Sequence, residues 1–298
     1  MIEIIVSGAA GNQYCQYAFA RYLMKERGLE DDLVINWKDN YYTNGKKKYS
    51  DSLDGMNTII KKAINRNVSG FLLPRMYIKG KNIKGETLDY EWLASKGVYM
   101  HPNGVLTNVV SAKKNVIING NYEVPMYYEH VRLELLNELT PRKEYISDRA
   151  IMLARQLHEE QSVCMSVRVF VKEVINERRV QLEPDYFLRA LKIIEERIGR
   201  PVESVFVSSD NLEWCRKNLT IPSKIIWDQP EFNIYEKIYI MKNARHFALS
   251  NSTFSWWIQY LNTDWDKIVV LPYVPNFGLF QWTEPFGDVE KRNWIMLD

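Results

Sequence analysis

The chain has 298 residues, of which 46% are hydrophobic and 26% charged, a globular composition with room for one large domain or two ordinary ones. A formal net charge of +2 excludes a general nucleic-acid footprint. The three cysteines, Cys15, Cys164 and Cys215, are odd in number and widely spaced; they exclude a disulfide framework and fit a reducing compartment, and no CxxC or His/Cys cluster suggests zinc.

The first stretch, "MIEIIVSGAAGNQYCQYAFARYLMKERG", predicts a strand, a glycine-bearing turn and a helix. Ile2, Ile4, Ile5 and Val6 are β-branched and end at Gly8. From Asn12, the residues Tyr14, Tyr17, Ala18, Tyr22 and Leu23 recur at helical spacing, with Gly28 as the stop. "DDLVINW" and "NVIING" (residues 115–120) are the next strands, with an irregular stretch between them. In the second half, "VCMSVRVFV" (residues 163–171) reads as a strand and residues 183–199 as a helix with Pro184 at its start and Gly199 at its end. Strand "SVFVSSD", helix "NLEWCRKNL", strand "SKIIWD", helix "NIYEKIYIMKNA", strand "HFALS", helix "FSWWIQYLN" and strand "KIVVLP" follow. Such alternation implies parallel sheets covered by helices. The expected architecture is α/β, with two domains at 1–145 and 146–298 facing a cleft.

Open α/β sheets bind ligands beyond the C-terminal ends of their strands, and the small polar clusters of this chain fall at such ends. "SNSTFS" (residues 250–255) joins a strand to a helix. The helix start offers unpaired N–H groups and a positive dipole end, and Ser252 and Thr253 add hydroxyls, so the segment suits a phosphate; helix capping is the plainer use of the same residues. It is not a Walker loop, because GK[ST] is missing. "GAAGNQ" (residues 8–13) lacks GxGxxG spacing, and the second strand ends in Asn36 rather than an acid, which disfavours a dinucleotide. Arg168 alternates with Val167 and Val169 along a strand. Buried there, it needs either a carboxylate or an anionic ligand. Asp264 and Asp266 spell a DxD, but between a helix and "KIVVLP" they read as a structural surface turn.

Together these pieces resemble the bacterial α-1,2-fucosyltransferase family. The G-x-x-G-N-Q turn followed by "QYAFARYL", the segment "GNYEVPMYYEHVRLELLNELTPR", "SSDNLEWCRKNL", the intact "SNSTFSWW", "KIVVLP" and the closing "NWI" carry the resemblance. It covers residues 1–28 and 115 onward; about 38–114 are unmatched. The chain departs from the family at H-x-R-R-G-D-Y, where Ser166 stands for the His, Arg168 for the first Arg, Val169 for the second and Val171 at the acidic position.

The resemblance implies a two-domain GT-B glycosyltransferase that uses no metal and no cofactor, with GDP-fucose as the default donor. The transfer would be a direct displacement with inversion. Negative charge then grows on the β-phosphate oxygen and must be absorbed by fixed cations, for which Arg168 suits, with Asn12 assisting. Donor contacts are expected from Gly11, Gln13, Ser209, Asp210, Asn251, Ser252, Thr253 and Phe254. Asp210 would accept bonds from the base or ribose, while Trp256 and Trp257 fix the helix in the core. Tyr122 and Glu123 are the acceptor-side candidates, Glu123 as a base. The losses at Ser166, Val169 and Val171 keep two alternatives open: another nucleotide-sugar donor, or a degenerate protein that binds without turnover.

Residues 44–84 carry ten basic side chains against two acidic ones, a local charge of +8, alongside "GFLLP" and "MYI". Such a mixture suits an anionic membrane surface or an anionic acceptor, and equally a solvated face over a small satellite core. The N-terminus lacks the basic flank and apolar stretch of a signal peptide, and no apolar run approaches the ~18 residues that span a bilayer. The expected location is cytoplasmic, peripheral to the inner membrane if the acceptor glycan is lipid-linked.

Overall fold

The computed structural model describes residues 1–28, 30, 32–37, 49–64, 89–101, 107–170, 181–273 and 293–297. Backbone contacts divide the chain into two compact units that part between Leu139 and Thr140.

The first unit opens with β1 (Ile2–Ile5), α1 (Ala10–Arg27), β2 (Leu33–Asn36) and β3 (Ile60–Ile64). It continues through α2 (Tyr90–Ser95), β4 (Val98–His101), β5 (Val116–Gly120), α3 (Pro125–Glu129) and α4 (Arg132–Glu138). Its five strands run in the order β3-β2-β1-β5-β4, all parallel, with Ile4 level with Ile35 on one side and Ile118 on the other. Every residue of β1 is buried, as expected of a parallel strand covered on both faces. Gly28 ends α1 in the left-handed region (φ 61°), its N–H bonded to the Lys25 carbonyl, so the predicted stop is the one used. β3, α2 and β4 fall in the stretch that reads as irregular. In β3, "IKKAI" exposes its central three residues along the sheet edge, and a lysine-bearing edge gives no apolar alternation to read.

The second unit holds a short 3₁₀ turn, α5 (Asp148–Glu159), β6 (Ser162–Val167), α6 (Pro184–Ile198), β7 (Ser204–Ser209) and α7 (Leu212–Asn218). β8 (Lys224–Trp227), α8 (Ile234–Met241), β9 (His246–Leu249), α9 (Thr253–Tyr260), β10 (Val269–Pro272) and β11 (Trp294–Leu297) complete it. The order is β11-β10-β9-β6-β7-β8, again wholly parallel. Period two sorts β6 as its sequence predicts. Val163, Met165 and Val167 join the core under α6 with Phe187, Leu191 and Ile194. Cys164 joins the opposite core with Ile240, Met241 and Ile258. Pro184 occupies the first turn of α6, and Gly199 ends it at φ 71°.

β6 is shorter than predicted: it ends at Val167, not Val171. The next three N–H groups leave the ladder for side chains. Arg168 N donates to Ser250 Oγ (2.8 Å), Val169 N to Asp210 Oδ1 (2.9 Å) and Phe170 N to Gln181 Oε1 (2.8 Å). Residues 171–180, which include Val171, Arg178 and Arg179, lie outside the described residues, as does most of the basic stretch 44–84 apart from 49–64.

Candidate active site

In the second sheet the chain steps from β6 outward to β7 and β8, then returns to lay β9 on the other side of β6. The two neighbours β6 and β9 therefore feed loops that diverge, and the crevice beyond their C-terminal ends is where doubly wound sheets bind ligands. Residues 166–170 and 250–254 meet at this point. Ser250, fully buried, donates from Oγ to the Ser166 carbonyl (2.9 Å) while accepting from Arg168 N. Ser166 Oγ lies 2.8 Å from Ser255 Oγ. Small hydroxyls thus weld the end of β6 to the start of α9. Ser166 stands where the resembled family has histidine, and here that position serves packing.

Arg168 lies just past the strand and is half exposed. Its Nη1 meets Asp210 Oδ2 at 2.8 Å, with the guanidinium 5.5 Å from the Phe170 ring centre. The carboxylate that the sequence leaves as one option for Arg168 is present, supplied by the end of β7. Asp210 is used on both oxygens, which makes it an anchor for residues 168–169. Ser209, next to it, accepts from Asn211 N at 2.9 Å.

α9 starts at Thr253 with Ser252 as N-cap, yet the Ser252 hydroxyl makes no capping bond. The first N–H groups of a helix have no partner within it, so this end presents the positive dipole end and a hydroxyl that capping does not consume. Ser252 N turns back to the Ser250 carbonyl (2.8 Å), which puts Asn251 at the tip of a one-residue turn. Asn251 is 6% exposed, and neither of its side-chain amide atoms has a hydrogen-bond partner. Phe254 packs on the core, and Trp256 and Trp257 are buried against Tyr260 at ring-centre distances of 4.8 and 5.0 Å. The two tryptophans therefore lock the helix as expected.

The first sheet repeats the geometry. β1 leads outward to β2 and β3, whereas β5 pairs on the other side of β1, so its crevice lies beyond β1 and β5. There Asn12 Nδ2 donates to Glu123 Oε1 at 3.2 Å. Gly8 has φ 78°, and a Cβ on it would stand 2.9 Å from Asn12 Cβ; glycine is needed for the turn and for the close approach of Asn12. Burial pushes the Glu123 carboxyl up to about 7, against the downward pull of a hydrogen bond from Asn121. Before it, Tyr122 adopts φ 50°, a conformation that costs a residue with a Cβ and is held only where packing compels it.

Two expectations are corrected. Gln13 is not free for a donor: it is fully buried, its Oε1 accepts from Ser52 N (2.9 Å), and its Nε2 donates to the Gly8 (3.1 Å) and Ser50 (2.9 Å) carbonyls. It ties the glycine turn to the segment after residue 49. Tyr122 is not an acceptor platform. Its ring is buried and stacked on Phe19 with centres 3.7 Å apart, and desolvation holds its hydroxyl well above the usual tyrosine range. Gly11 lies buried within α1. The DxD reads as predicted: Arg245 binds Asp264 (3.2 Å) and Asp266 (2.9 Å). Sequence reasoning gives no hint of Gln181, nor of the pair of buried Asp228 with partly exposed Lys237 (2.9 Å), whose acid also takes Ser208 Oγ at 2.8 Å.

A family described as Glycosyl transferase family 11 matches residues 1–298, so the match runs through the stretch 38–114 that the quoted motifs leave uncovered. The O-antigen biosynthesis glycosyltransferase WbnK of Escherichia coli is 23% identical over 297 residues, spanning 90% of this chain and 92% of that protein. An alpha-1,2-colitosyltransferase of Escherichia coli is 23% identical over 294 residues, with 91% of each covered. Among solved structures, NodZ alpha-1,6-fucosyltransferase soaked with GDP-fucose matches 87% of this chain and 92% of its own at 14% identity and a TM-score of 0.49. A mutant of Arabidopsis thaliana FUT1 in complex with GDP matches 93% of this chain and 71% of its own at 12% identity and a TM-score of 0.49.

Proposed function

The chain belongs to glycosyltransferase family 11, and from that premise we propose that it moves fucose or a related deoxysugar from a GDP-sugar to a glycan hydroxyl, with inversion and without a metal. The observation that carries the donor site is the switch point of the second sheet. One crevice gathers the Arg168 guanidinium, the start of α9 with its non-capping Ser252, and the unpaired amide of Asn251. Diphosphate oxygens suit the first two. The names of the two Escherichia coli relatives favour O-antigen synthesis and a deoxysugar donor, hence a cytoplasmic enzyme.

In the proposed reaction the acceptor oxygen attacks the anomeric carbon as the bond to the β-phosphate oxygen breaks. Arg168, Ser252 and Thr253 meet the charge that grows on that leaving oxygen, and such interactions lower the barrier because they strengthen in the transition state. Glu123 is the first unit's candidate for the base that takes the acceptor proton: a carboxyl poised near 7 is matched to proton transfer at neutral pH. Asn12 fixes its orientation. No metal is assigned, because Arg245 already engages both acids of the DxD.

One observation favours a second reading, a nucleotide-binding protein without turnover: Asp210 neutralises Arg168. A thermal-shift panel of GDP, UDP, ADP and CMP, followed by a transfer assay with GDP-fucose with and without EDTA, separates the two. A ligand at a hundred times its Kd stabilises by about 2.7 kcal/mol, a readily visible shift. Stabilisation by GDP with EDTA-insensitive product supports the enzyme. Stabilisation without product supports the second reading, and no shift with any nucleotide removes the donor site. A lipid-linked acceptor, and contact of residues 44–84 with an anionic membrane, belong to the same proposal. Lys61 and Lys62 of that stretch are exposed on β3. No helix of the described residues is long and apolar enough to cross a membrane. Co-sedimentation with anionic and neutral vesicles at low and high salt tests the contact, and no binding to anionic vesicles at low salt ends it.

A further inference from the structure

A phosphate explains the start of α9 but not Asn251. The amide carries a donor, Nδ2, and an acceptor, Oδ1, and both are buried with no partner. Phosphate oxygens only accept, so a diphosphate in this crevice satisfies Nδ2 and leaves Oδ1 unpaired. Another asparagine at this sheet's helix ends shows what a structural role looks like. Asn262 donates to the Lys242 (2.8 Å) and Ala244 (3.0 Å) carbonyls and accepts from Asp264 N (2.9 Å). Asn251 has no such set, although it sits at a position fixed by the Ser252 N bond to the Ser250 carbonyl and by the Ser250 hydroxyl on the Ser166 carbonyl. A buried, rigidly mounted donor–acceptor pair with nothing to bind weakens the free protein. It is the arrangement that a site built to hydrogen-bond a substrate group requires.

We propose that Asn251 reads a hydroxyl of the donor, because a hydroxyl is the group that donates and accepts at one atom. The inference rests on the donor reading above and extends it. The diphosphate is held by charge and by the helix start, while Asn251 distinguishes a donor that carries a hydroxyl at this point from one that lacks it. Two positions on a sugar nucleotide supply such a group, the ribose and the transferred sugar.

The test uses the full chain and the variants Asn251→Ala and Asn251→Leu, titrated calorimetrically with GDP and with GDP-fucose, with the Tm of each free protein recorded. The expected result is a Tm at or above that of the parent, since two unpaired buried groups have been removed, together with at least a tenfold loss of GDP-fucose affinity. Unchanged GDP affinity then assigns the hydroxyl to the transferred sugar, and an equal loss for GDP places the contact on the nucleotide rather than on that sugar. Affinities within twofold of the parent for both ligands overturn the inference while leaving the donor site standing. So does a Tm several degrees lower in both variants, which makes the amide structural. A parent protein that binds neither GDP nor GDP-fucose removes the donor reading itself, and the assignment of Asn251 with it.

Discussion

Arg168 and Asp210 close the ends of two adjacent strands with a 2.8 Å ion pair. The arginine follows β6, the aspartate follows β7, and the same carboxylate holds Val169 N with its other oxygen. Both partners are well exposed to solvent, so the pair is worth about 0–1 kcal/mol. A nucleoside diphosphate, with more than one negative charge, can displace it at small cost.

Asp210→Asn keeps an acceptor for Val169 N and deletes the competing charge. GDP should bind up to about fivefold tighter, the factor that corresponds to ~1 kcal/mol. Calorimetry decides it: weaker binding would mean that Asp210 touches the nucleoside. Arg168→Ala should behave differently, losing about a hundredfold in kcat with a smaller change in affinity, because the charge it meets grows in the transition state. Equal losses in kcat/KM and in GDP affinity would assign it to ground-state binding instead.

The pH behaviour of Glu123 has two opposed signatures. Its folded carboxyl holds a proton up to about 7, whereas the unfolded one releases it near 4.5. The native state therefore binds more protons between those values, and stability falls as pH rises across that window. Deprotonation within the fold costs on the order of 3 kcal/mol. Glu123→Gln should flatten the dependence of Tm on pH from 4.5 to 8 and raise the Tm at pH 8. Catalysis runs the other way: kcat should climb with an inflection near 7 and fall at least a hundredfold in Glu123→Gln. A variant with parental kcat and pH profile would exclude Glu123 as the base.

Gln13→Ala should destabilise the chain by about 2–3 kcal/mol, because it strands the buried Ser52 N and two carbonyls. Urea unfolding measures this. A variant of parental stability that loses GDP affinity would return Gln13 to the ligand.

Asp264→Asn combined with Asp266→Asn removes the ion pairs of Arg245 without touching either crevice. Transfer should stay within twofold of the parent, with or without EDTA, while the Tm drops by a few degrees. An EDTA-sensitive parent that the double variant disables would establish a metal at the DxD.

The alternation of strands and helices in the second unit is legible because β6 to β10 are short apolar runs, most of them closed by a polar cluster. The first unit is legible only at its ends. Lys61 and Lys62 conceal β3, since an edge strand with two exposed lysines carries no apolar period. The polar clusters point to strand ends, but strand order cannot be read from one chain, so sequence alone does not show that Ser250 meets Ser166 or that Asn12 meets Glu123. Gln13 misleads for a related reason. An amide in a glycine-rich turn looks the same whether it faces a ligand or backbone 37 residues away. Tyr122 misleads because nothing in "GNYE" announces a left-handed residue other than glycine.

The three side-chain anchors on the backbone after β6 make that segment a reporter. Ser250, Asp210 and Gln181 come from three separate places in the chain, and each holds one of the successive amides of 168, 169 and 170. Exchange with deuterium at those amides is therefore set by three independent openings rather than by the sheet. A ligand that draws Asp210 away from this segment speeds exchange at Val169, while Arg168, bonded to the buried Ser250, stays slow. The contrast between neighbouring amides registers occupancy without a label or turnover.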